Sequence, residues 1–240
     1  MGKDRDTTLI DTAATGFDLA TGTPAGSITR ALVGGVWKLA DRIEAARVKR
    51  ALDLLVESLA TVADLPRDEA ASRLQELLDG ASAEVDDLLY ADFKSKASAR
   101  SEAAWPYIAR LTAEYLHHGQ PADSFFKRMG LLLERCEGED VRVLCGIAGE
   151  ARRLSTEHGI GEDFHFLGCH PCDGGMEVCL NVGGMDRPVS IKADALVPLD
   201  ELHGLDLCEM INQGRLGPQN NNGFSEIPAR FARPLMKIMA

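Results

Sequence analysis

"FHFLGCHPCDGGMEVC", Phe164 to Cys179, is where the texture of this chain changes. Before it, apolar residues recur at helical spacing. From it onward, short β-prone runs ("DFHFLG", "GMEVCLNVGG", "RPVSIKADALV") alternate with Gly and Pro clusters. Cys169 and Cys172 stand at CxxC spacing, and Cys179 follows seven residues after Cys172. Three chemistries use such a pattern. Structural zinc needs four nitrogen or sulfur ligands, and a CxxC turn supplies two of them. The second half would come from Cys179 with one of His165, His170, His203 or Cys208, Cys208 and His203 being the first places to look. Thiol redox chemistry needs a helix after the CxxC to lower the thiol pKa, whereas "DGGMEV" reads as a turn and a strand. The third use is as small apolar residues of a hairpin in a reducing compartment. The residues favour that third use and no cofactor, with zinc as the alternative.

Upstream of this stretch the pattern is helical. Leu32, Val36, Leu39 and Ile43 step by three and four, as do Val48, Leu52, Leu55, Leu59 and Val62. The two stripes are offset by five, so over 28–62 one long helix with a rotated face or two helices with a bend would fit. Asp64 as a cap and Pro66 in a first turn open a helix that Gly80 ends. Ser82 caps the next, with Val85, Leu88 and Leu89 buried. Further stripes run over Trp105–Leu116, Phe125–Leu133 and Val141–Leu154. Downstream, "LDELHGLDLCEM" returns to helix, and "FSEIPARFARPLMKIM" reads as a short strand and a helix carrying Pro234. The expected architecture is mainly α. A flexible or weakly helical segment (1–26) leads into a multi-helix domain (27–157), and a small α+β, winged-helix-like unit (158–240) follows.

Charge narrows the partners. The 240 residues carry 26 basic and 37 acidic side chains, a formal net charge of −11, which repels phosphate backbones and anionic membranes. A winged helix would read DNA with 200–209, but that helix carries Asp200, Glu201, Asp206 and Glu209. Arg230, Arg233 and Lys237 on the last helix are the residues that would touch phosphate. Asp4, Asp6 and Asp11 interrupt any signal-peptide core, and no run approaches the roughly 18 apolar residues of a membrane span. A cytoplasmic protein is therefore expected.

Catalytic grammar is sparse. His117 and His118 close a helix, where cations complement the dipole. Asp86 with Asp87, and Glu139 with Asp140, fall in first turns, where acids serve the same purpose. The sequence holds no phosphate-binding glycine loop, HExxH string or Ser-His-Asp order.

Three stretches carry a resemblance. "DDLLYADFKSKASARSEAAWPYIARLTAEYL", "ADSFFKRMGLLLERCEGEDVRVLCGIA" and "MINQGRLGPQNNNGFSEIPARFARPLMKIM", with "LATGTP" near the start, resemble the bacterial abortive-infection alpha family and related helical domains. The chain departs from that pattern over 163–197. The resemblance implies phage defence by growth arrest or cell death and transfers no catalytic residue. The expectation is a non-catalytic protein that acts through a protein partner or a second copy of itself, in defence or stress response. The alternative is nucleic-acid binding or transcriptional regulation through the C-terminal unit. A metal-dependent activity at the cysteine cluster ranks third.

Overall fold

Leu52, Leu55, Val56 and Leu59 lie on one side of α1 (Ala45–Ala63) and are buried there, which is the three-and-four spacing put to use. The computed structural model describes residues 45–80, 82–172, 175–183, 189–192, 197–198 and 225–239. The expected segment 1–26, the first half of the 28–62 helix and the acidic helix at 200–209 lie outside these residues. Two compact units are distinguished.

The first unit holds the described residues up to Ala99 together with Trp105–Asp123. The end of α1 shows one departure from the expected grammar. Asp64 takes a left-handed φ of 52°, and Leu65 N–H donates to the Ala60 carbonyl at 2.9 Å, a Schellman-type ending. Asp64 thus closes α1 instead of opening the next helix, and Pro66 stands just before α2 (Arg67–Asp79) instead of inside its first turn. The cap of α3 (Ala83–Ser98) is as expected: Ser82 Oγ accepts from Val85 N–H at 3.2 Å. In α4 (Trp105–His118) the stripe Trp105, Ile108, Leu111, Leu116 is buried. Pro106 is tolerated there because the N–H it lacks has no partner in a first turn. Helix α1 packs on α4 and α2, and α3 packs on α4.

The second unit holds Arg100–Ala104 and the described residues from Ser124 onward. Helix α5 (Ser124–Arg135) is followed by α6 (Gly138–Glu157). Asp140 caps the start of α6, accepting from Glu137 N–H at 2.8 Å. Five antiparallel strands follow: β1 (Phe166–Cys172), β2 (Gly175–Val182), β3 (Val189–Lys192), β4 (Val197–Pro198) and β5 (Ser225–Pro228). Their order is β3-β2-β1-β5, with β4 also on the outer edge of β2. Helix α7 (Ala229–Met239) leaves β5 directly and buries Phe231, Ala232, Leu235, Ile238 and Met239.

The architecture is mainly helical with a small antiparallel sheet toward the C-terminal end, as the sequence indicates. The division between units falls elsewhere than at residue 157. Helix α6 lays Val141, Leu144, Ile147, Ala148, Ala151 and Leu154 in the core and packs against β2, β4 and α7, so it belongs with the sheet. No described helix is long and apolar enough to cross a membrane.

Candidate functional site

Strand register decides what the cysteines can do. Cross-strand partners point to the same face of a sheet and neighbours along a strand to opposite faces. Leu167 faces Leu180 and Ile227, and Cys169 faces Val178. These side chains form the buried face. Three residues on, an odd number, Cys172 lies on the opposite face. The turn expected between Cys169 and Cys172 is not formed; β1 runs extended through both, so the pair makes no zinc knuckle. Cys179 pairs with Gly168 and shares the face of Cys172. The position opposite Cys172 is Gly175, four residues from Cys179, or roughly 13 Å at strand spacing. His203 and Cys208, the remaining expected ligands, lie outside the described residues. Among the described residues no three of His, Cys, Asp or Glu group as a metal would require.

Cys179 has its own surroundings. Lys192 sits opposite it and reaches diagonally to Glu177 at 2.8 Å. Cys179 is only 2% exposed beside this ion pair. Burial pushes its thiol up, and the Glu177 carboxylate adds to the shift. The hydrogen bond and charge of Glu177 raise Lys192 in turn. A thiol held protonated is a poor nucleophile and a poor ligand.

The three cations expected to touch phosphate have different fates. Arg233 is tied into the fold: it donates to the Glu162 carbonyl, lies 3.8 Å from the Glu162 carboxylate and covers the Phe164 ring. It also lines a shallow cavity of about 450 Å³ with Asp163, Phe164, His165, Val182 and Gly183. Lys237 is exposed near the end of α7. Arg230 is exposed and lies 4.8 Å from the Phe231 ring centre. The same ring takes Arg128 of α5 at 5.8 Å and stacks on Phe125 at 5.8 Å with 14° between planes. Two guanidinium groups thus gather over one aromatic ring, an arrangement favoured by the ring quadrupole. Beside them, Lys127, Arg128 and Arg135 occupy the exposed side of α5 around Leu131, which is 48% exposed.

The first unit contains a feature the motif search passed over. Lys96, 1% exposed, donates from Nζ to Asp92 Oδ2 at 2.6 Å and to the Ala51 carbonyl at 3.0 Å. Burial is the larger influence and pulls Lys96 below its ordinary value, against the raising effect of Asp92. Asp92 Oδ1 is buried with no hydrogen-bond partner. The signal was present in sequence: positions 88, 89, 92, 93 and 96 form one apolar-spaced stripe, and two of them are charged.

His117 and His118 fall in the last turn of α4 and Glu139 and Asp140 in the first turn of α6, as expected, whereas of Asp86 and Asp87 only Asp86 falls in the first turn of α3. His118 lies 3.6 Å from Glu114, one turn back, and Glu139 pairs with Arg142. Compared with known protein families, with curated proteins and with solved structures, the chain matches none.

Proposed function

We propose that this chain is a non-catalytic protein–protein interaction protein of the cytoplasm, acting in phage defence by abortive infection or in a stress response. The observation that carries the interaction reading is Leu131, an exposed leucine set among Lys127, Arg128 and Arg135 on α5. An apolar side chain set among three basic residues, with Glu134 as the acid beside them, suits a protein surface with a complementary rim. The setting is supported by the helical resemblance over the stretches quoted above.

The experiment is a phage challenge of cells expressing the chain, with Leu131→Glu as the control. Protection that the variant loses supports the reading. A chain that gives no protection against any phage, or a variant that protects fully, counts against it. A second reading, nucleic-acid binding, draws on Arg128 and Arg230 meeting over Phe231. It is tested by a mobility shift with random duplex at low salt. The interaction reading expects no shift; a shift abolished by Arg230→Glu would favour the second.

A further inference from the structure

Among the described residues two large apolar side chains are exposed, Tyr90 at 44% and Leu131 at 48%. Single exposed apolar residues are ordinary; what surrounds these two is not. On a helix, residues three and four apart are surface neighbours. Tyr90 on α3 has exposed Asp86 and Asp87 four and three residues before it and exposed Lys94 four after. Leu131 on α5 has exposed Lys127 and Arg128 four and three residues before it, then Glu134 and exposed Arg135 three and four after. The two faces carry the same spacing with opposite charge on the N-terminal side.

We propose that the occupant of the α5 face is the α3 face of a second copy of this chain. The proposal rests on the interaction reading above and names its partner. With Tyr90 laid against Leu131 and the helices parallel, Asp86 meets Lys127, Asp87 meets Arg128, and Lys94 comes to Glu134. Running the helices antiparallel sets Lys94 against Lys127 and Arg128, and Asp86 or Asp87 against Glu134. Arg135 adds one repulsive pair with Lys94 to the parallel arrangement and one attractive pair with Asp86 or Asp87 to the antiparallel one, and the balance still favours the parallel arrangement. Because each copy offers one face of each kind, the contact is head-to-tail.

Salt gives a signature that general stickiness does not share. Copies with a net charge of −11 repel one another, and low salt strengthens that repulsion. Association that tightens as salt is lowered must come from local complementarity.

The test is sedimentation velocity on the full chain at low and high salt, with two charge-reversed variants, Asp86→Lys/Asp87→Lys and Lys127→Glu/Arg128→Glu. All four sites are exposed, and circular dichroism checks the fold. The expected result is concentration-dependent assembly of the wild type at low salt and its loss at high salt. Each variant alone stays monomeric, because its two faces then carry like charge. An equimolar mixture of the two assembles again, because the unchanged α3 of one variant meets the unchanged α5 of the other and the two reversed faces also complement each other. A wild type that stays monomeric at low salt overturns the proposal. So does a variant that assembles alone as the wild type does, or a mixture that fails to reassemble. A monomeric chain that still protects in the phage challenge would discard the second copy while sparing the interaction reading.

Discussion

Replacing Lys96 by Met should cost the first unit about 3–5 kcal/mol, the penalty for breaking a buried ion pair from one side. Lys96 is 1% exposed, and its ammonium is the cation 2.6 Å from Asp92. The substitution keeps an unbranched, apolar stem that ends where the lysine Cε does, and removes the ammonium with its charge and donors. A buried carboxylate left without its cation can stay charged or take a proton. The second route costs about 1.36 kcal/mol per pH unit above the ordinary aspartate value of about 3.9, so about 4 kcal/mol at pH 7. That bound agrees with the first figure. In the variant the folded chain holds a proton that the unfolded chain has lost, so the penalty should shrink as pH falls toward that value. Removing both charges in Asp92→Leu/Lys96→Met should restore stability to within about 1 kcal/mol of wild type, or raise it. The native pair is incompletely satisfied, with Asp92 Oδ1 unpartnered. Denaturant unfolding followed by far-ultraviolet circular dichroism measures all three proteins. A Lys96→Met penalty under about 1 kcal/mol, or a double variant as unstable as Lys96→Met alone, would refute the reasoning.

Other expectations follow from the same geometry. Burial holds Lys96 below its ordinary 10.5, so the unfolded chain binds more protons there. Wild-type stability should therefore gain from this residue as pH rises toward 10.5, a gain absent in Lys96→Met when unfolding is compared across alkaline pH. Burial, with Asp140 and Glu137 adding, pushes the Cys136 thiol up to about 12. At pH 8 only about one molecule in ten thousand would carry that thiolate. Alkylation read by peptide mass spectrometry should leave Cys136 unlabelled in the native chain and label it after denaturation. Phe231→Ala removes the stack on Phe125 and should cost about 3–4 kcal/mol in thermal or denaturant unfolding. Ser82→Ala deletes the acceptor for Val85 N–H and should cost about 1 kcal/mol in the same assay.

The helices were readable because their stripes report burial directly. Leu52, Leu55 and Leu59, and again Phe125, Met129, Leu132 and Leu133, are buried as their spacing requires. What a stripe omits is its partner. The apolar face of α6 announces a core but not that the core is a sheet, so the unit boundary was placed after the helix instead of before α5. The cysteine spacing is ambiguous for a related reason. CxxC is written identically for a tight turn and for an extended strand, yet the first brings two thiols together and the second turns them apart. Only the pairing of Cys169 with Val178 and of Cys179 with Gly168 separates the cases. The stripe at 88, 89, 92, 93 and 96 marks Lys96 and Asp92 as buried charges, but the second acceptor of Lys96, the Ala51 carbonyl, is backbone from another helix and leaves no mark in side-chain patterns. Tyr90 and Leu131 break the polar pattern of their own helix faces, which sequence alone could have flagged.

The outer edge of β2 is covered in two pieces, and the count between them matters. Lys192 of β3 stands opposite Cys179, and Val197 of β4 opposite Met176. The edge chain spends five steps where β2 spends three. A surplus of two is even, so the pairing register of β4 on β2 keeps the parity of β3, where a surplus of one would have inverted it. Adding or deleting one residue between Lys192 and Val197 would be felt as an exchange of faces, whereas a change of two would be absorbed.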